Sequence, residues 1–116
     1  MSSLSSRSPL KPVEFLVLAV LAEEPLHGYG IVQQIEERTG GRVVLRPGDV
    51  YRVIYRLEER GLLRKAEHPS GDDGDERRTY YDITADGSEL VRDEAEMLAA
   101  VSAGVVSRVG ESGGGR

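Results

Sequence analysis

Arg52, Arg56 and Arg60 recur at spacings of four, and they are the residues of this chain whose type and placement carry chemistry. Guanidinium groups repeated once per helical turn suit a polyanion, because each can neutralise a phosphate or fork onto an acceptor pair. The segment that holds them, PGDVYRVIYRLEERGLL at 47–63, has a helical period. At about 100° per residue, Val50, Ile54, Leu57 and Gly61 fall in a narrow arc, Val53 borders it, and the arginines lie on the opposite flank near Asp49. Pro47 suits a first turn, where its missing N–H would be unpaired anyway, and Gly61 suits the left-handed residue that ends a helix. For an isolated helix the plain reading is a solvated face whose arginines pair with Glu58 and Glu59. Context has to decide.

A chain of 116 residues has the size of one domain. Hydrophobic content of 39% and charged content of 30% fit a soluble protein, and the longest apolar run, Phe15 to Ala22, is too short to cross a bilayer. Nothing near Met1 has the form of a signal peptide, so the expected location is the cytoplasm, with no membrane partner. With no cysteine and only His27 and His68, neither a disulfide framework nor a metal site is expected, and no cofactor is expected either. An enzyme is not expected: the chain has no glycine-rich phosphate loop after a strand and no arranged nucleophile and base. The net charge of −5, taken globally, argues against nucleic acid as a partner, but the distribution of charge argues for it. From Arg42 to Lys65 seven basic residues face three acidic ones, whereas from Asp82 to Glu96 six acidic residues face Arg92 alone. Charge segregated in this way can present a basic face on an acidic protein.

Residues 1–10 read as a disordered Ser-rich arm and 110–116 as a disordered Gly/Ser tail. A first helix over Lys11 to Glu24 is apolar on nearly every side and therefore central and buried. PLHGYG at 25–30 is a turn. A second helix then runs to Thr39 with Ile31, Val32 and Ile35 on its inner face, and Gly40 and Gly41 stop it. After a short extended stretch and the arginine helix come two strands, Leu62 to His68 and Arg77 to Thr84, joined by SGDDGDE as a β-hairpin. Thr84 is an N-cap, and a long helix from Ala85 to about Val109 carries an apolar stripe that one small domain cannot cover. The fold class is thus mainly α with a small β-hairpin: a winged helix-turn-helix domain at 11–84 plus a long C-terminal helix at 85–109. In such a domain the third helix enters the DNA major groove and the hairpin reaches the adjacent minor groove or backbone.

Three strings carry a resemblance: LVLAVLAEEPLHGYGIVQQI at 16–35, PGDVYRVIYRLEERGLL at 47–63 and RRTYYDITADG at 77–87. In this order and spacing the chain resembles the PadR-family transcriptional regulators, in their short class with one helix after the wing. The resemblance implies a homodimeric repressor or activator, here a repressor on a two-fold symmetric operator, with double-stranded DNA as partner. The long last helix and part of the first would make the dimer, through Phe15, Leu90, Val91, Met97, Leu98, Val101 and Val105. It also implies that Tyr29 reaches a phosphate, that Gly48, Asp49, Tyr51 and Arg52 open the recognition helix, and that Arg77 and Arg78 lead the second wing strand onto DNA. Arg46, Tyr55, Arg56, Arg64 and Lys65 complete the expected DNA face, while Arg60 balances Glu58, Glu59 and the helix dipole. At position 49 many relatives carry a small hydroxyl residue. Asp49 here either accepts from a cytosine amino group or, the favoured reading, caps the helix and orients Arg52 or Arg56.

Each of these residues also has a plainer role. Tyr29, Tyr51, Tyr55 and Tyr80 can be packing residues with wet hydroxyls, Arg64 and Lys65 can charge a sheet edge, and His27 reads as a turn residue bonded locally. The acidic run Asp72, Asp73, Asp75 and Glu76 reads as a solvated loop. The rival functional class is a winged-helix module that binds protein while its arginines pair internally. A small-molecule effector, if the protein has one, belongs between the first and last helices; with no aromatic residue in the last helix, an aromatic-stacking pocket is not expected there.

Overall fold

The structure, a computed structural model, describes residues 10–67 and 79–114. Its elements are α1 (Pro12–Leu21), β1 (Leu26–His27), α2 (Gly28–Arg38), α3 (Pro47–Glu59), β2 (Leu63–Ala66), β3 (Tyr80–Ile83) and α4 (Ala85–Gly114). The serine-rich arm, His68, the acidic run and Arg77 and Arg78 lie outside the described residues.

Apolar spacing sets the inner faces. Val17, Leu18, Val20 and Leu21 of α1, Ile31, Val32 and Ile35 of α2, and Val50, Val53, Ile54 and Leu57 of α3 close one core with Leu62, Leu63 and Tyr81. Leu90 and Val91, expected at a dimer surface, belong to this core instead, at 6% and 7% exposure. Two turns into α4 the helix still lies against α1 and β3, so those side chains point into their own domain. Nor is α1 buried all round: Phe15 and Leu16 are only half covered.

The sheet is three-stranded, not a simple hairpin, in the order β1-β3-β2. The segment read as a turn contributes β1, with Leu26 opposite Tyr81 and His27 opposite Tyr80. Pro25 forces Glu24 out of the helical region, which ends α1 short of the expected Glu24 and extends the chain alongside β3. At its other end α4 runs to Gly114, beyond the expected Val109. Glycine costs about 1 kcal/mol per residue in a helix but is no stop by itself, and no proline interrupts this segment. Among the described residues, no helix is long and apolar enough to cross a membrane.

Helix ends are fixed as their residues dictate. At the end of α2, Gly40 N–H donates to Glu37 O and Gly41 N–H to Glu36 O, both glycines at positive φ. At the end of α3, Gly61 (φ 76°) donates to Glu58 O and Leu62 N–H to Leu57 O. The same turn receives the sheet and α4. Thr84 N–H donates to Leu62 O at 3.1 Å and its hydroxyl to Gly61 O at 2.7 Å, while Thr84 Oγ1 accepts from Gly87 N–H at 3.0 Å as the N-cap of α4.

Gly87 is held tightest at this junction. A Cβ there would lie 2.1 Å from Leu62 O and 2.8 Å from Ile83 Cγ1. Since a backbone oxygen cannot turn aside, Gly87→Ala should destabilise the protein by about 3 kcal/mol, the upper end for an overpacked site. Gly48→Ala, where a Cβ meets nothing within 4 Å, should not destabilise it. Urea denaturation of the two variants checks the contrast.

Candidate nucleic-acid interface

Helix α3 rests on α1, α2 and β2, and its outer face is the expected interface. The loop before it is pinned by Thr39, whose hydroxyl donates to Ile35 O at 2.8 Å and accepts from Val43 N–H at 3.1 Å. Val43 and Leu45 pack against the core, and Arg46, the N-cap of α3, stands exposed without a side-chain cap bond. Gly48 and Asp49 share the exposed first turn. Asp49 meets Arg52, but loosely: Oδ1 lies 3.9 Å from Arg52 Nη1, between two exposed groups. Such a pair contributes little by itself, so it biases the orientation of Arg52 without withholding it.

The three arginines are not equivalent, and the division falls after Arg52 and not, as expected, after Arg56. The Arg52 side chain is 78% exposed. Arg56 Nε donates to Glu14 Oε2 at 3.1 Å, and Arg60 Nη1 lies 3.5 Å from Glu14 Oε1. Glu14 is 3% exposed, and its Oε1 also accepts from Lys11 N–H at 2.8 Å. Neither arginine was expected to reach α1, where both meet Glu14. Sequence reasoning missed Glu14. The signal lay in a lone acid in the first turn of an otherwise apolar helix.

Tyr51 is half-buried and packs edgewise over Gly28, where a Cβ would come within 2.5 Å of the phenol oxygen. This explains the glycine of the HGYG string better than a turn does. Tyr55 is exposed and lies 6.1 Å from Tyr51, ring to ring. Together with Arg52, Arg56, Glu58, Glu59 and Lys65 it lines a groove of about 690 Å³ between α3 and β2. Arg64 pairs across the ladder with Asp82 at 3.5 Å, whereas Lys65 is exposed. Tyr29 is exposed and stacks at 6.4 Å on His27, and His27 Nδ1 accepts from Gly30 N–H as the N-cap of α2. Tyr80 is buried edge-on against His27 at 5.2 Å, which makes it a packing residue. Among the described residues, no three His, Asp or Glu side chains converge as a metal site would.

On the far side, α4 exposes Met97, Leu98, Val101, Val105, Val106 and Val109. Met97 and Leu98 border a groove of about 600 Å³ with Phe15, Leu16 and Val43, between the first and last helices.

Among the described residues, four helices, a small sheet and an exposed α3 beside a hairpin define a winged helix-turn-helix protein. The sequence model of the Transcriptional regulator PadR-like family matches residues 17–93, and the chain belongs to that family of transcriptional regulators. An uncharacterized protein in transposon TN4556 of Streptomyces fradiae is 38% identical over 89 residues, which cover 77% of this chain and 24% of that protein. The chain thus spans about a quarter of that relative's length. A PadR-like transcriptional regulator of Bacillus cereus has the same fold, with a TM-score of 0.71 at 23% identity over 84% of this chain and 90% of its own. Bacillus subtilis PadR, solved in complex with operator DNA, matches with a TM-score of 0.61 at 19% identity, over 73% of this chain and 47% of its own.

Tyr81 lies beneath the interface, and burial, with Tyr55, Tyr51 and Glu58 adding to it, pushes its hydroxyl up to about 12. The fold therefore favours the neutral phenol, while an unfolded tyrosine ionises near pH ~10. Stability should be intact below pH ~10, fall as pH rises toward about 12, and lose nothing further from this group beyond that. A tyrosinate absorbance titration checks this: Tyr81→Phe should remove the last step.

Proposed function

We propose that this regulator is a homodimeric repressor that binds a two-fold symmetric operator, with α3 in the major groove and the β2–β3 hairpin as wing. The observation that carries this reading is the N-terminal half of α3. It exposes Arg46, Arg52 and Tyr55 together while Val50, Val53 and Ile54 hold its other side in the core. Gly48 supports it: the chain's own packing does not require a glycine there, but the absence of a Cβ lets backbone amides at a helix start approach a phosphate closely. That Bacillus subtilis PadR, a protein of the same fold, was solved in complex with operator DNA supports DNA as the partner. Such a partner means a cytoplasmic protein. Tyr29, Lys65 and Arg64 flank the helix as further phosphate contacts, and Arg77 and Arg78 belong to the same reading from the sequence.

For the dimer, the apolar stripe of α4 is the support: beyond its packed first turns, Leu98 and Val101 are exposed at 42% and 62%. A second copy that lays its own α4 against the groove at Phe15 and Met97 would bury both stripes. The two α3 helices would then enter grooves about one turn, ~34 Å, apart.

If the dimer neutralises on the order of eight phosphates, log K should fall against log salt with a slope near about −7. Arg52→Ala should cost roughly 1–3 kcal/mol. Comparing that variant on the chain's own upstream region and on scrambled DNA tells the two roles apart: loss on the operator alone means base reading, equal loss means phosphate contact. A salt-independent affinity, or none, overturns the DNA reading in favour of a protein-binding module. Leu98→Glu with Val101→Glu should give a folded monomer in sedimentation equilibrium with operator binding lost; an unchanged dimer sinks the proposed interface.

A further inference from the structure

We propose that Glu14 is a positioning residue for the DNA face: it clamps α3 to α1 and holds Arg56 and Arg60 off the phosphate backbone. Arg52, with Arg46, Arg64 and Lys65, is then the cation set that a polyanion meets. This inference rests on the DNA-binding reading for its consequence, but not for the clamp itself.

Glu14 is a charged side chain almost wholly removed from solvent, at 3% exposure. A carboxylate in that position costs several kcal/mol unless it is paired, with its lone pairs bonded. Three donors meet it: Lys11 N–H at 2.8 Å, Arg56 Nε at 3.1 Å and Arg60 Nη1 at 3.5 Å. Arg56 lies in the last turn of α3 and Arg60 caps it one turn later, so the carboxylate grips the C-terminal end of the helix. Drawing either guanidinium to a phosphate would strip the carboxylate of a donor it cannot replace with water. Arg56 is also committed at its Nε edge, which removes the Nε/Nη fork from use on DNA. Among the described residues Arg52, one turn earlier, meets only Asp49, at 3.9 Å, and is 78% exposed against 46% for Arg56 and 31% for Arg60. An evenly spaced arginine stripe thus becomes a graded one, exposed at the helix start and held at its end. A helix fixed at its C-terminal half docks in one orientation, which is what base discrimination needs.

The test is salt-dependent binding to a short duplex of random sequence and to a duplex selected from a random pool by the wild-type protein. Glu14→Gln keeps the size of the side chain and removes the charge. It should steepen the slope of log K against log salt by about 0.9 per protomer, as Arg56 gains a phosphate. It should also lower the preference for the selected duplex several-fold. Glu14→Gln with Arg56→Gln should return the slope to the wild-type value. Arg56→Gln alone should keep that value, whereas Arg52→Ala should lose about 0.9 per protomer. A slope unmoved by Glu14→Gln, or an Arg56→Gln loss equal to that of Arg52→Ala, overturns the proposal. If Glu14→Gln fails to fold, the comparison of Arg56→Gln with Arg52→Ala still decides. The Nε–H resonance of Arg56 in the DNA-free protein reads the clamp directly. It should persist at neutral pH in the wild type and exchange away in Glu14→Gln, and its absence from the wild type refutes the clamp. A wild type that binds no duplex would defeat the DNA reading, and this resonance would then settle the clamp alone.

Discussion

The backbone of Leu62 joins the elements that matter for function. Its N–H closes the end of α3 on Leu57 O, and its carbonyl receives Thr84 N–H from the end of the sheet. That carbonyl also lies so close to Gly87 that no side chain fits between them. Helix α3, the hairpin and α4 therefore meet at one residue through main-chain groups, with Gly61, Thr84 and Gly87 as the side-chain conditions. Hydrogen bonds between backbones leave little angular freedom, and close packing leaves little translation. The angle between the arginine helix and the long helix is set here. If α4 carries a second copy, the separation of the two arginine helices follows from the same junction.

Around that frame the chain handles charge by placement rather than by amount. It is acidic overall, with a net charge of −5, yet the start of α3 exposes Arg46 and Arg52, and Lys65 of β2 lines the groove that Arg52 borders. Glu58 and Glu59 lie at the other end of the same helix and line the same groove, so acidic charge offsets the cations there. The amides of the helix start favour an anion as well, since a helix N-terminus carries a partial positive charge. Arg64 lies across the ladder from Asp82 and keeps 62% of its side chain exposed.

Much of this was legible in the sequence because it is governed by local rules. Helical period placed Val50, Ile54 and Leu57 inward, and Pro47 and Gly61 marked the ends of α3. Gly40 and Gly41 stopped α2, and Thr84 capped α4; all of these hold. Strand β1 was not legible, because two residues after a proline form a strand only when β3 offers them a partner. The dimer stripe was read too far back along α4, since apolar spacing cannot tell an inner turn at Leu90 and Val91 from an outer one at Leu98 and Val101.

The sequence by itself determined the family, the order of the elements and which helix carries the arginines, because each is encoded by spacing within a few turns of chain. Only the tertiary structure decided what each arginine does. Glu14 is 42 residues from Arg56 along the chain, and a carboxylate so distant becomes a partner only when α1 and α3 pack side by side. That packing grades the stripe, from an Arg52 that is 78% exposed to Arg56 and Arg60, each held in part against a buried acid.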